Sequence, residues 1–147
     1  MGDAKVKKRQ SVGQSANSAD AHQAISVFSN VRSILIVDED TDVLKQLSQS
    51  LAVCAKQYNI YTAQNGKDAL KILKTSSVNI LLTALDLPVL RGFDLVDYVK
   101  KYYPAMRIVV MSEEDPAAIK KRLDCLRIHG YIRKPFRIEM IYSILRV

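Results

Sequence analysis

From Ser33 onward the chain alternates between two textures, and this alternation limits the possible folds more than any other feature of the sequence. Short runs rich in Ile, Val and Leu fall at 34–37, 59–62, 78–84, 107–111 and 131–133. Each has the length of a strand and is too short for a buried helix. Between them, apolar residues recur at helical spacing: Leu44, Leu47 and Leu51 share one face, as do Ala69 and Leu73, then Leu95, Val99 and Tyr102, then Ile119, Leu123 and Leu126. Over 137–145, Ile138, Ile141 and Leu145 line a fifth such face. Strands that are apolar along their whole length are covered on both sides, and connections containing helices join parallel neighbours. Five β-α units therefore predict an α/β fold, a doubly wound sandwich in which helices cover both faces of a five-stranded parallel sheet. Asn65-Gly66 ahead of the second helix, Pro104 after the third and Pro116 in the first turn of the fourth punctuate the pattern.

At 147 residues the chain holds one such unit. Residues 1–31 differ from the rest: Ser, Gln, Asn and Ala dominate and no period is sustained, which predicts a flexible polar tail with a basic cluster at Lys5, Lys7, Lys8 and Arg9. The folded domain is expected over 32–147. A net charge of +7 would allow the tail weak, salt-sensitive contact with nucleic acid. No helix-turn-helix and no aromatic stacking platform accompanies that charge, so nucleic acid is not an expected partner. No apolar run approaches the roughly 18 residues of a membrane span, and the basic start lacks the apolar stretch of a secretory signal. A cytoplasmic protein without a membrane partner is the expectation. Cys54 and Cys125 stand apart from each other and from any cluster of His, which predicts reduced, packed thiols rather than a disulfide or zinc site.

In open α/β sheets, ligands bind beyond the carboxyl ends of the strands. The first run ends in Asp38-Glu39-Asp40, the third in Ala84-Leu85-Asp86, the fourth in Ser112-Glu113 and the fifth in Lys134-Pro135. Asp38 and Glu39 near a lysine suit a hard cation such as Mg²⁺, which takes oxygen ligands. Asp40, Thr41 or Asp42 has the simpler task of capping the next helix. His129 reads as a turn residue and His22 as part of the tail, neither with a metal or catalytic role.

The run ILIVDED at 34–40, the stretch from Ala84 to Gly92 with Pro88, Ser112 at the fourth strand end and KPF at 134–136 together resemble the receiver domain of two-component response regulators. The elements occur in that family's order over nearly the whole folded part. The resemblance implies a flavodoxin-like, CheY-like sheet of order 2-1-3-4-5 with five helices. In such domains a histidine kinase donates phosphoryl to an Asp ending the third strand, beside Mg²⁺. By the same likeness Asp38 and Glu39 match the acidic pair, Glu39 being the direct metal ligand, and Asp86 matches the main-chain carbonyl ligand. Ser112 matches the hydroxyl that bonds the phosphoryl oxygens, Lys134 the charge-neutralising lysine and Tyr131 the switching aromatic residue. The bond before Pro135 is usually cis in the family, and protein partners meet the face formed by the fourth helix, fifth strand and fifth helix.

One position departs from the pattern in a way that decides the chemistry. The family's accepting Asp lies four residues before the Pro matched by Pro88, and that place holds Ala84. A methyl group cannot be phosphorylated, and its carboxylate is missing from the metal shell, so any Mg²⁺ site is expected to be weak or vestigial. Glu113 stands where a small residue usually leaves the phosphoryl pocket open. The expected function is therefore a receiver-like interaction module, not an enzyme, with no catalytic residue and with a histidine kinase, an effector or a second copy as partner. An ordinary Mg²⁺-dependent receiver with an engineered Asp-to-Ala change, or one using Asp86 as acceptor, is the alternative. A remote alternative is a haloacid-dehalogenase-type phosphohydrolase with Asp38 as nucleophile, since Asp38-Glu39-Asp40 has the D-x-D form. Asp42 stands where that motif wants Thr or Val.

Overall fold

The structure, a computed structural model, describes residues 31–54 and 58–145. The tail expected over 1–31 lies outside these residues except for Val31, as does the side chain of Cys54. Five strands, β1 (Arg32–Val37), β2 (Tyr58–Ala63), β3 (Ile80–Ala84), β4 (Arg107–Ser112) and β5 (Gly130–Arg133), pair in parallel in the order 2-1-3-4-5. Five helices alternate with them: α1 (Thr41–Cys54), α2 (Gly66–Thr75), α3 (Gly92–Tyr102), α4 (Lys120–Leu126) and α5 (Ile138–Leu145).

Burial explains why the strand sequences lack polar alternation. In β1, Ile34 and Ile36 pack with Leu44, Leu47 and Leu51 of α1 and Ile141 and Leu145 of α5. Leu35 and Val37 point to the other face, among Ala69 and Leu73 of α2, Leu95, Val96 and Val99 of α3 and Leu126 of α4. Successive side chains thus enter different cores, so every position of the strand must be apolar. β1 lies inside the sheet, the chain then moves to one edge at β2 and crosses to β3, β4 and β5 on the other side. The reversal lies between β1 and β3, where their carboxyl ends leave a crevice.

Local signals set the helix boundaries. Asp40 starts α1, its side chain accepting from Asp42 N at 2.9 Å and its carbonyl from Leu44 N. Asn65 caps α2 by accepting from Asp68 N at 2.8 Å. Pro104 follows α3 in a turn closed from Met106 N to the Tyr103 carbonyl.

Several expectations are corrected. Tyr102 is 57% exposed rather than part of the α3 core stripe. The chain leaves the helix at the next residue, and Tyr103 anchors that end by donating to the Leu73 carbonyl, while the Tyr102 ring packs at a tilt against Tyr98. Pro116 lies outside the fourth helix, in a turn in which Asp115 accepts from Ala117 N and Ala118 N. The helix begins only at Lys120, with buried Ile119 just ahead of it. The third strand starts at Ile80 rather than Val78, and the Asn79 side chain just ahead of it accepts from Ser33 N. Cys125 is exposed rather than packed.

Gly92 opens α3 directly beneath the end of β3. A Cβ there would lie 2.3 Å from the Ala84 carbonyl oxygen and 2.6 Å from Leu85 Cα. These are backbone atoms, unable to rotate away. Gly92→Ala should therefore cost about 1–3 kcal/mol of stability by overpacking. An unchanged urea midpoint would show that the loop after β3 yields where it is expected to hold.

Candidate functional site

The carboxyl edge of the sheet gathers Asp38, Ala84, Ser112 and Lys134, each following or ending a different strand. Asp38 is 2% exposed although it is charged. Its burial is met by two partners: Oδ2 receives Lys134 Nζ at 2.5 Å, and Oδ1 accepts from Asp40 N at 2.9 Å. Two strands, β3 and β4, stand between the strands that carry this ion pair. Lys134 is placed by the bend after β5, where its own N–H donates to the Ser112 carbonyl and the bond to Pro135 is cis.

Ser112 is 3% exposed and its hydroxyl oxygen accepts from Glu114 N at 3.1 Å. The Tyr131 hydroxyl donates to the Glu114 carbonyl. Two contacts therefore hold Glu114, the second residue after β4, one from Ser112 at the strand end and one from Tyr131 of β5. This Tyr131 contact was not legible in sequence; nor was the role of Glu114, which no motif singles out.

The remaining candidates divide between two clefts. Glu39 and Asp86, both exposed, line one of about 440 Å³ with Arg91, Phe93 and Arg122. Its wall is tied together by the Arg122 guanidinium lying 4.0 Å over the Phe93 ring. The loop beneath includes Val89 at φ 72, a left-handed conformation unusual for a β-branched residue, in a tight turn from Leu90 N to the Pro88 carbonyl. The second cleft, about 540 Å³, is lined by Asp40, Val43, Gln46, Glu113, Lys134, Pro135 and Phe136. Glu113 is exposed and lines this cleft together with Lys134.

A divalent cation fits this donor set poorly. Asp38 is committed to Lys134, Ala84 offers only a methyl, and among the described residues no three His, Cys, Asp or Glu side chains are placed to share a metal ion.

Residues 34–146 match the response regulator receiver domain family. The chain belongs to that family. Among curated relatives it is 27% identical over 114 residues to the heme response regulator HssR of Staphylococcus aureus, covering 77% of this chain and 50% of that protein. It is 28% identical over 127 residues to the two-component response regulator ARR12 of Arabidopsis thaliana, covering 83% of this chain and 20% of that one. The receiver chain thus spans about half the length of the first of these and less of the second. Its fold is that of the chemotaxis response regulator CheY4 of Vibrio cholerae, with TM-score 0.72 and 24% identity over 79% of this chain and 97% of that one. A signal receiver domain from Pseudomonas fluorescens Pf-5 gives TM-score 0.71 and 25% identity over 80% and 85%. The CheY-like sheet order implied by the motifs is the one observed.

The ion pair has a measurable consequence for this receiver. The Lys134 side chain is 20% exposed and that of Asp38 3%, so removing the ammonium strands a carboxylate in the interior. Lys134→Ala should cost about 3–5 kcal/mol, whereas the double change Asp38→Asn with Lys134→Met should cost much less. Additive losses in urea unfolding would mean that the two groups do not depend on each other.

Proposed function

We propose that this receiver domain works in two-component signalling as a pseudo-receiver, through protein contacts and without accepting a phosphoryl group at the end of β3. The observation that carries the reading is Ala84. Its methyl, 3% exposed, ends β3 opposite Met111, four residues before Pro88 and eight before Gly92, where the family's acceptor carboxylate would stand. Phosphoryl transfer depends on positioning a nucleophile and stabilising charge. Ser112 and Lys134 are remnants of the stabilising part in this reading, Asp38, Glu39 and Asp86 of a weak Mg²⁺ site, and Tyr131 of the switch. Lys134 has its charge already met by Asp38.

In this reading the domain is no enzyme. Asp38 is held by Lys134, and Asp40 is engaged as a helix cap, which leaves the D-x-D pair without the acid/base residue that phosphohydrolase chemistry needs. Its partner is a histidine kinase, an effector or a second copy, met through α4, β5 and α5. A cytoplasmic location agrees with such partners; among the described residues no helix is long and apolar enough to cross a membrane. The folded unit from residue 32 carries this role, with the preceding segment as a polar tail.

Asp86 supports a second reading, because it shares its cleft with Arg91 and Arg122, cations that could steady a phosphoryl group. Incubation with acetyl phosphate and Mg²⁺ followed by mass spectrometry separates the readings. The chain should gain no alkali-labile phosphoryl group, and Ala84→Asp combined with Glu113→Ala should gain one at residue 84. Labelling of the unaltered protein at Asp86 or Asp38 would overturn the pseudo-receiver reading, and an unaltered Asp at position 84 in the natural protein would make Ala84 an engineered change.

A further inference from the structure

At the end of the sheet opposite the ion pair, where β1, β3 and β4 begin, a cleft of about 410 Å³ is lined by Arg32, Asn79, Ile80, Ala105, Arg107 and His129. Among the described residues no carboxylate lines it. Hydrogen bonds fix what each polar side chain has left to offer. Asn79 Oδ1 accepts from Ser33 N at 2.8 Å, so the part of its amide that remains is the donor N–H₂. His129 Nδ1 accepts from Ile108 N at 3.0 Å, which assigns the ring proton to Nε2 and makes that atom a donor too. Arg32, exposed at the first position of β1, carries donors alone. Arg107, also in the wall, is engaged through one Nη with the Ile144 carbonyl at 3.0 Å.

The side-chain acceptors of Asn79 and His129 are thus consumed by main-chain N–H groups, leaving these two side chains as donors beside the charge of Arg32. That is the complement of an oxyanion, the partner with which charge-assisted hydrogen bonds are strongest. We propose that the cleft binds a small oxyanion, a phosphate or carboxylate group, with Arg32 supplying the capturing charge and Asn79 and His129 the fixed donors that orient it. The site is independent of chemistry at the other end of the strands, so it stands or falls separately from the pseudo-receiver reading.

The test is a titration of the full chain, labelled with ¹⁵N, with sodium phosphate and separately with sodium acetate, ionic strength being held constant with NaCl. The amides of Ser33, Ile108 and His129 should shift saturably with phosphate, with a dissociation constant of about 1–10 mM, as a few hydrogen bonds to an exposed ion imply. Arg32→Gln should weaken this at least about fivefold, and Arg32→Lys should keep part of it; both change a side chain that is exposed at the start of β1. Saturation by acetate as well identifies a general oxyanion site, and saturation by phosphate alone a phosphoryl site. Linear shifts that NaCl reproduces, or equal affinity in Arg32→Gln, overturn the proposal. So would saturable shifts confined to Ser112 and Lys134, which would put the anion at the other end of the sheet.

Discussion

The contact between Lys134 and Asp38 governs the carboxyl edge of this sheet. It joins the ends of two strands that do not pair with each other, β1 and β5, and so spans the edge at which β3 and β4 finish. A carboxylate as buried as Asp38 costs several kcal/mol to desolvate unless its charge is met and its lone pairs are filled. The ammonium meets the charge, and the Asp40 N–H fills a second oxygen. The arrangement also places Asp40 at the start of α1, so the cap of the helix and the burial of the acid are one local design. With Ala84 contributing no competing carboxylate, the lysine has a single buried partner in the described edge.

The rest of the molecule serves to present that edge rigidly. Each central strand sends alternate side chains into two different cores, and the helices are held against both faces by those contacts. Close packing of this kind leaves the loops little freedom where backbone meets backbone. Gly66 sits so near Leu90 that a Cβ would lie 2.6 Å from its main-chain oxygen, and Gly92 is pressed as tightly against the end of β3. The loop after β4 is secured instead by polar contacts, from Ser112 on one side and Tyr131 on the other. Lys100 adds a tie from α3 to the carbonyl of Arg127, the residue that ends α4 in a left-handed turn.

How far the sequence revealed this depends on the range of the interaction. The strands were legible because an all-apolar run such as Ile34 to Val37 has one economical use, burial on both faces. The sheet order came through the combined motifs, which no single strand specifies. Asp38, Ser112 and Lys134 could be placed at strand ends because the strand ends themselves were recognisable. The division of Glu39 and Asp86 from Lys134 and Glu113 into two clefts was not legible, since it follows from side-chain directions set by tertiary packing. Glu114 was invisible for a similar reason: its part is played by main-chain atoms, which carry no residue signature. Tyr102 misled because helical spacing continues past the point at which the chain turns away, and Tyr103 rather than Tyr102 reaches back to α2.

A receiver arranged in this way should hold α4 and β5 in one state whatever phosphodonor is supplied, since the fixed contacts at Ser112, Glu114 and Tyr131 do not await a phosphoryl group. Hydrogen–deuterium exchange over residues 112–133, measured with Mg²⁺ alone and with Mg²⁺ plus acetyl phosphate, addresses that directly. The account predicts superimposable exchange in the two conditions. Protection or exposure of α4 and β5 that appears only with acetyl phosphate would contradict it, because a phosphoryl-dependent switch would then be operating without the carboxylate at position 84.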